Sequence, residues 1–139
     1  MISDFACPWC YVGKHRLQKA IALRPELEVA LHWRPYQLNP DMPREGRNRR
    51  AYYLQKFGEQ GYQDLRRTLE QAGAEDGIKF CDSPDAMAPN TLSAHTLMLW
   101  AVEDGKTDVN VLAEKLFIAH NPRQTIFYIN TRKGWYFKF

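Results

Sequence analysis

Two cysteines, Cys7 and Cys10, stand seven and ten residues into the chain with only Pro8 and Trp9 between them, in the stretch "SDFACPWCYVGKHRLQKAI". This spacing suits two kinds of chemistry, thiol–disulfide exchange or half of a metal site. If a helix starts at Pro8, where a missing N–H costs nothing, Cys7 is its N-cap and Cys10 lies in its first turn. The Cα atoms then fall within disulfide range, ~4.4–6.8 Å. Cys7 also faces the unpaired N–H groups and the positive end of the helix dipole, which lower a thiol pKa from ~8.5 into roughly the 3.5–7.5 range. Cys10 shares a face with Leu17 and Ile21, where loss of water favours the protonated thiol. That division makes Cys7 the sulfur that attacks or is attacked, and Cys10 the one that resolves a mixed disulfide.

A metal centre needs more ligands. There is no second Cys-x-x-Cys, and Cys81, His15, His32, His95 and His120 lack ligand spacing. Cys81 stands alone and receives no role. His95, in "NTLSAHTLMLW", reads as a histidine satisfied by a local hydrogen bond, because no carboxylate or nucleophile is paired with it by spacing. No metal and no organic cofactor is expected.

The elements that must position the pair follow from periodicity. Ile2 to Phe5 is the stub of a strand, and the helix from Pro8 should stop near Pro25. In "ELEVALHWRPYQLNP" the residues Leu27, Val29, Leu31 and Trp33 alternate with polar or small neighbours, predicting a second strand. Strand, helix and strand make a βαβ unit with parallel strands.

Beyond "NPDMPREG" the pattern turns helical, with candidates over Arg47 to Phe57, Tyr62 to Ala72, Asn90 to Val102 and Asp108 to His120. Leu97 to Trp100 is apolar all round and predicts a central helix. In the fourth helix Val109, Leu112, Leu116 and Ala119 are expected to point inward. "GAEDGIKFCDSPDAMAP" reads as a long connection, and "QTIFYINTRKGWYFKF" as a hairpin.

Chain totals narrow the class. The 139 residues suit one domain, or a small domain with an insertion, and no apolar run approaches the roughly 20 residues that span a bilayer. The net charge of +3 is too mild to imply nucleic acid, and Arg44, Arg47, Arg49 and Arg50 read as the solvated start of a helix. Three cysteines without a secretory signal at the start favour a cytoplasmic location.

"SDFACPWCYVGKHRL" resembles the active-site segment of DsbA-like oxidoreductases of the FrnE type, and "HWRPYQLNPDMPREG" and "APNTLSAH" resemble later segments of that family in the same order. The resemblance covers about Ile2 to His120. It implies an α/β, thioredoxin-like fold with an α-helical domain inserted after the second strand: residues 1–43 the βαβ part, 44–121 the insertion, 122–139 a terminal hairpin. It implies Cys7 as nucleophile and Cys10 as resolving cysteine, with Pro8, Trp9, Pro35, Asn90 and His95 as candidates around a substrate groove. The implied partners are protein or small-molecule thiols and disulfides, glutathione among them. Related 2-hydroxychromene-2-carboxylate isomerases and kappa-class glutathione transferases place serine where Cys7 stands, which leaves a glutathione-dependent isomerase or transferase as the alternative enzyme. A degenerate binding module with a merely structural pair is the non-enzymatic alternative.

The family also has a cis-proline loop, two antiparallel strands and a last helix after the helical insertion. Their lack predicts a C-terminally truncated core, with Pro122 and the hairpin as the only stand-ins and with self-association through uncovered strand surface.

Overall fold

The computed structural model describes residues 1–80 and 83–120. Its elements are β1 (Ile2–Ser3), α1 (Pro8–Ala22), β2 (Arg34–Pro35), β3 (Arg47–Asn48), α2 (Arg49–Asp76), β4 (Met87–Ala88), α3 (Leu92–Asp104) and α4 (Val109–His120). β1 and β2 pair in parallel, Ile2 opposite Arg34 and Ser3 opposite Pro35, so the first strand, helix and second strand form the βαβ unit expected. β3 and β4 make a separate antiparallel pair.

The second strand is shorter and later than the alternation predicts. Leu27 and Val29 are 51% and 47% exposed and lie outside any strand, while Trp33 is buried and the pairing begins at Arg34. A parallel ladder can extend no farther than its partner, and β1 is two residues long. Arg34 N–H donates to Met1 O at 2.8 Å and Tyr36 N–H to Ser3 O at 3.0 Å, which uses up the backbone that β1 offers.

Several helix ends have an identifiable cause. Pro8 opens α1. Asn48 caps α2 by accepting from Ala51 N–H at 3.0 Å, and Asp108 caps α4 by accepting from Asn110 N–H at 2.8 Å. The two helices expected over Arg47 to Phe57 and Tyr62 to Ala72 are continuous except at Gly58, which takes φ 70 and ψ 174 and kinks α2. α2 also runs on to Asp76, into the segment read as a connection, and stops at Gly77 in the left-handed conformation.

The core is centred on Phe117 of α4, which is fully buried and meets Phe5 edge-on at 5.0 Å, stacks on Tyr11 at 5.2 Å and lies 6.3 Å from Trp33. The inward face of α4 is Ala113, Leu116 and Phe117, one residue round from the face predicted, although Val109 and Leu112 still pack against the core. α3 is not central. Ala94, His95, Met98 and Ala101 face inward, but Leu99, Trp100 and Val102 are exposed, because α3 packs mainly on α4 and has an open outer side among the described residues. The predicted hairpin and Pro122 lie outside the described residues, as does Cys81.

On α1 the buried face is Tyr11, Val12 and Lys14, with Leu17 and Ile21 only partly covered. Lys14 is 1% exposed, and its ammonium is held by the Glu114 carboxylate of α4 and by Gln18 Oε1 at 3.0 Å. The Tyr11 hydroxyl donates to the same carboxylate at 2.6 Å. Burial would raise the Glu114 pKa, but Lys14 and Tyr11 outweigh it and hold the acid below its usual range. The folded-state pKa is therefore depressed, so this pairing stabilises the fold above the unfolded glutamate pKa and is lost as pH falls through the folded value. Replacing Glu114 by Ala leaves a buried ammonium without its counter-ion and should cost on the order of 3 kcal/mol, whereas Lys14→Met, which leaves a partly exposed carboxylate still held by the Tyr11 hydroxyl, should cost less. Urea unfolding of the two variants at neutral pH checks this ordering.

Candidate dithiol site

The short segment between β1 and α1 carries the site, and Asp4 folds it. Cys7 N–H donates to Asp4 O at 3.0 Å, Ala6 N–H donates to Asp4 Oδ1 at 3.1 Å, and Leu38 N–H donates to Asp4 Oδ2 at 2.7 Å. The carboxylate, 2% exposed, thus joins the Cys7 loop to the segment that follows β2. Burial acts to raise its pKa, but hydrogen bonds from His95, Leu38 N–H, Ala6 N–H and Thr91 prevail and keep it below the usual range.

Cys7 is the N-cap of α1 with extended backbone, φ −91 and ψ 109, and Cys10 lies in the first turn, as the spacing predicts. Both are half-buried free thiols. Their ionisations are linked through one side-chain hydrogen bond. The hydrogen bond between them is the largest influence on each, and it lowers the first ionisation, at Cys10, to about 6 while pushing that of Cys7 up. Ordering by the helix terminus alone puts the charge on Cys7 instead. The difference arises because Cys10 also receives the Asp4 backbone N–H and the Ser3 hydroxyl, which favour its thiolate against the cost of burial. Cys7 is faced by the N–H groups of Cys10 and Trp9, so moving the proton of the S–H···S bond to Cys10 places the charge where the helix can hold it.

The other sequence candidates fall in different places. Pro8 lines a cleft of about 60 Å³ together with Ala6, Arg49, Tyr53, Tyr62 and Phe80, between the start of α1 and α2. Trp9 stands 41% exposed at the surface. Pro35 is exposed on β2 and borders a separate cavity with His95. Asn90 serves local structure, donating to Met42 O at 2.6 Å and accepting from Leu92 N–H at 2.9 Å. His95 is buried instead of lining an open groove, and a carboxylate does face it: Asp4 Oδ1 lies 3.5 Å from its Nε2.

Asp4 and Ser3 were not singled out by sequence. Their signal was faint, two polar residues inside the strand stub "ISDF", and only the return of β2 and α3 around them shows their purpose. Among the described residues no group of three or more His, Cys, Asp or Glu side chains is placed to hold a metal ion.

A parallel βαβ unit with a Cys-x-x-Cys pair at the mouth of its helix, backed by further helices, defines the class: a thioredoxin-like protein with a dithiol site. The chain belongs to the DSBA-like thioredoxin domain family, whose model matches residues 1–126. Among solved structures it is similar to a probable DsbA oxidoreductase from Streptomyces coelicolor, with TM-score 0.74 and 27% identity over 91% of this chain. The match takes in 55% of that protein, so the chain spans little more than half its length. A search of curated proteins gives no match.

The linked ionisation has a direct consequence. Alkylation of the reduced pair by iodoacetamide should titrate with a midpoint near pH 6, from the lowered Cys10 value. In Cys7→Ala the remaining thiol loses its principal donor, and its midpoint should move up to the ordinary range, ~8.5 or above. Rates measured from pH 4 to pH 10, with peptide mapping of the labelled cysteine, check both values.

Proposed function

We propose that this chain is the dithiol-bearing part of a thiol–disulfide oxidoreductase that exchanges a disulfide between Cys7–Cys10 and protein or small-molecule thiols, glutathione among the latter. The observation that carries the reading is the placement of two free, half-buried cysteines at the N-terminus of α1, Cys7 as its N-cap and Cys10 in its first turn, where the helix end favours a thiolate and the resolving partner lies one turn away.

In the reducing direction, the proton of the S–H···S bond passes to Cys10 and the Cys7 thiolate attacks a substrate disulfide R–S–S–R′. The S–S bond breaks, R′–S⁻ leaves, and Cys7 is joined to R. Cys10 then loses its proton and attacks the Cys7 sulfur, releasing R–S⁻ and closing Cys7–Cys10. Two electrons have moved from the protein to the substrate, and each thiolate released takes a proton from water. The oxidising direction is the reverse.

Cys7 is assigned the intermolecular step because it sits in the loop before the helix, flanked by Ala6 and Pro8, which line the cleft with Tyr53 and Tyr62. A substrate side chain beside the reacting cysteine fits there, against aromatic walls. Trp9, exposed beside the pair, adds apolar surface at the rim.

Exchange with an insulin-type protein disulfide or with oxidised glutathione tests the assignment. Cys7→Ser should abolish turnover, and Cys10→Ser should accumulate a mixed disulfide at position 7, detectable by mass spectrometry under non-reducing conditions. Accumulation at position 10 in Cys7→Ser, with turnover kept, would reverse the roles.

A further inference from the structure

We propose that Gly58 is the positioning residue of the cleft beside Cys7: its kink brings the two halves of α2 to one side and makes there a pocket for an apolar side chain next to the reacting cysteine of a peptide or protein substrate. The proposal rests on the exchange reading above and names the substrate feature that its site selects.

Helix phase demands the kink. The cleft of about 60 Å³ is walled by residues from both sides of Gly58, Arg49 and Tyr53 before it and Tyr62, Leu65, Arg66 and Leu69 after it. Tyr53 and Tyr62 are nine positions apart, and nine residues make about two and a half turns of α-helix. In an unbroken helix their side chains would point to opposite sides, and Leu69, sixteen positions from Tyr53, would lie about 160° from it. Both nevertheless line one cleft with Tyr53, because Gly58 takes φ 70 and ψ 174 and resets the phase. That backbone conformation is essentially confined to glycine. A Cβ at position 58 would meet nothing within 4 Å, so the glycine is required by the backbone path and not by a neighbour. A sequence that needed only one long helix would do better with alanine here.

The occupant follows from the walls and from where the cleft opens. Ala6 and Pro8, the residues on either side of Cys7, form one edge, so a substrate joined to Cys7 presents its own neighbouring residue there. Facing it are the rings of Tyr53, Tyr62 and Phe80 and the side chains of Leu65 and Leu69. The charged groups at the cleft are engaged. Arg66 pairs with Glu70 at 3.1 Å and lies over the Tyr62 ring, and Arg49 donates to Met87 O and His120 O. What is left to cover is apolar surface, and its burial favours an apolar residue over glycine or a charged one.

The test uses the whole reduced chain and the symmetrical disulfides of acetyl-Leu-Cys-amide and acetyl-Gly-Cys-amide. Acid quenching and mass spectrometry give the rate at which each oxidises the Cys7–Cys10 pair, two peptide thiols being released per chain. Dividing by the rate of the same disulfide with free reduced glutathione removes intrinsic reactivity. In the unaltered chain the Leu peptide should react roughly 10-fold faster than the Gly peptide. Gly58→Ala, whose backbone must leave the kinked conformation, should bring that ratio close to one. Tyr53→Ala and Leu65→Ala, one on each side of the kink, should each lower the ratio, since both walls act on one pocket; they test it even where Gly58→Ala does not fold. A ratio kept in a Gly58→Ala chain of normal helical circular dichroism, or unchanged in either wall variant, would overturn the proposal. Equal rates for the two peptides in the unaltered chain would refute the pocket and leave the exchange reading standing. If neither peptide oxidised the pair, exchange itself would fail, and the pocket with it.

Discussion

Asp4 is the residue on which the site's geometry depends. Its backbone carbonyl takes the Cys7 N–H and its two carboxylate oxygens take Ala6 N–H and Leu38 N–H, so one buried anion fixes the path of the chain from β1 into α1 and fastens it to the exit of β2. A carboxylate is expensive to bury, and its cost is offset only when both oxygens are bonded and an oppositely charged or donor group faces it. Two N–H groups from different parts of the βαβ unit meet the first condition and His95 meets the second. The strand pair itself is two residues long, far too short to hold a loop by ladder bonds alone, so the carboxylate supplies the registration that a longer sheet would give.

Placing a negative charge so close to a pair of thiols has an electrostatic effect. Asp4 opposes a thiolate at Cys10, while its backbone N–H, the Ser3 hydroxyl and the hydrogen bond with Cys7 favour it, and the favourable contacts prevail in the free dithiol. The balance is therefore conditional on the state of Cys7. Cys10 ionises readily while Cys7 is a free thiol, and it loses its principal hydrogen-bond donor once Cys7 is held in a mixed disulfide.

Much of this arrangement was legible in the sequence. Cys7 as N-cap, Pro8 at the first helical position, Asp108 capping α4 and the βαβ order all follow from local rules that hold whatever the rest of the chain does. Readings that failed depended on neighbours. Leu27 and Val29 alternate as a strand should, yet β1 is too short to pair with them. The run from Leu97 to Trp100 is apolar on every side, yet Leu99 and Trp100 face outward, since periodicity cannot say how many sides of a helix are covered. Lys14 was invisible as a core residue because its partner, Glu114, is a hundred positions away, and His95 was read without a carboxylate because Asp4 approaches it only through the fold. The family resemblance carried the fold class, but not the groups that stand behind the two cysteines.

Everything above requires that Cys7 and Cys10 interconvert between dithiol and disulfide within the range of potentials that cellular thiols reach. The most direct measurement is a redox titration of the chain in glutathione buffers, with acid quenching and peptide-level counting of free thiols at Cys7 and Cys10. The account predicts a single two-electron transition in which both cysteines change together, with a midpoint between roughly −120 and −270 mV. Thiols at Cys7 and Cys10 that stay reduced, or stay oxidised, across the whole range would show that the pair is structural and contradict the account.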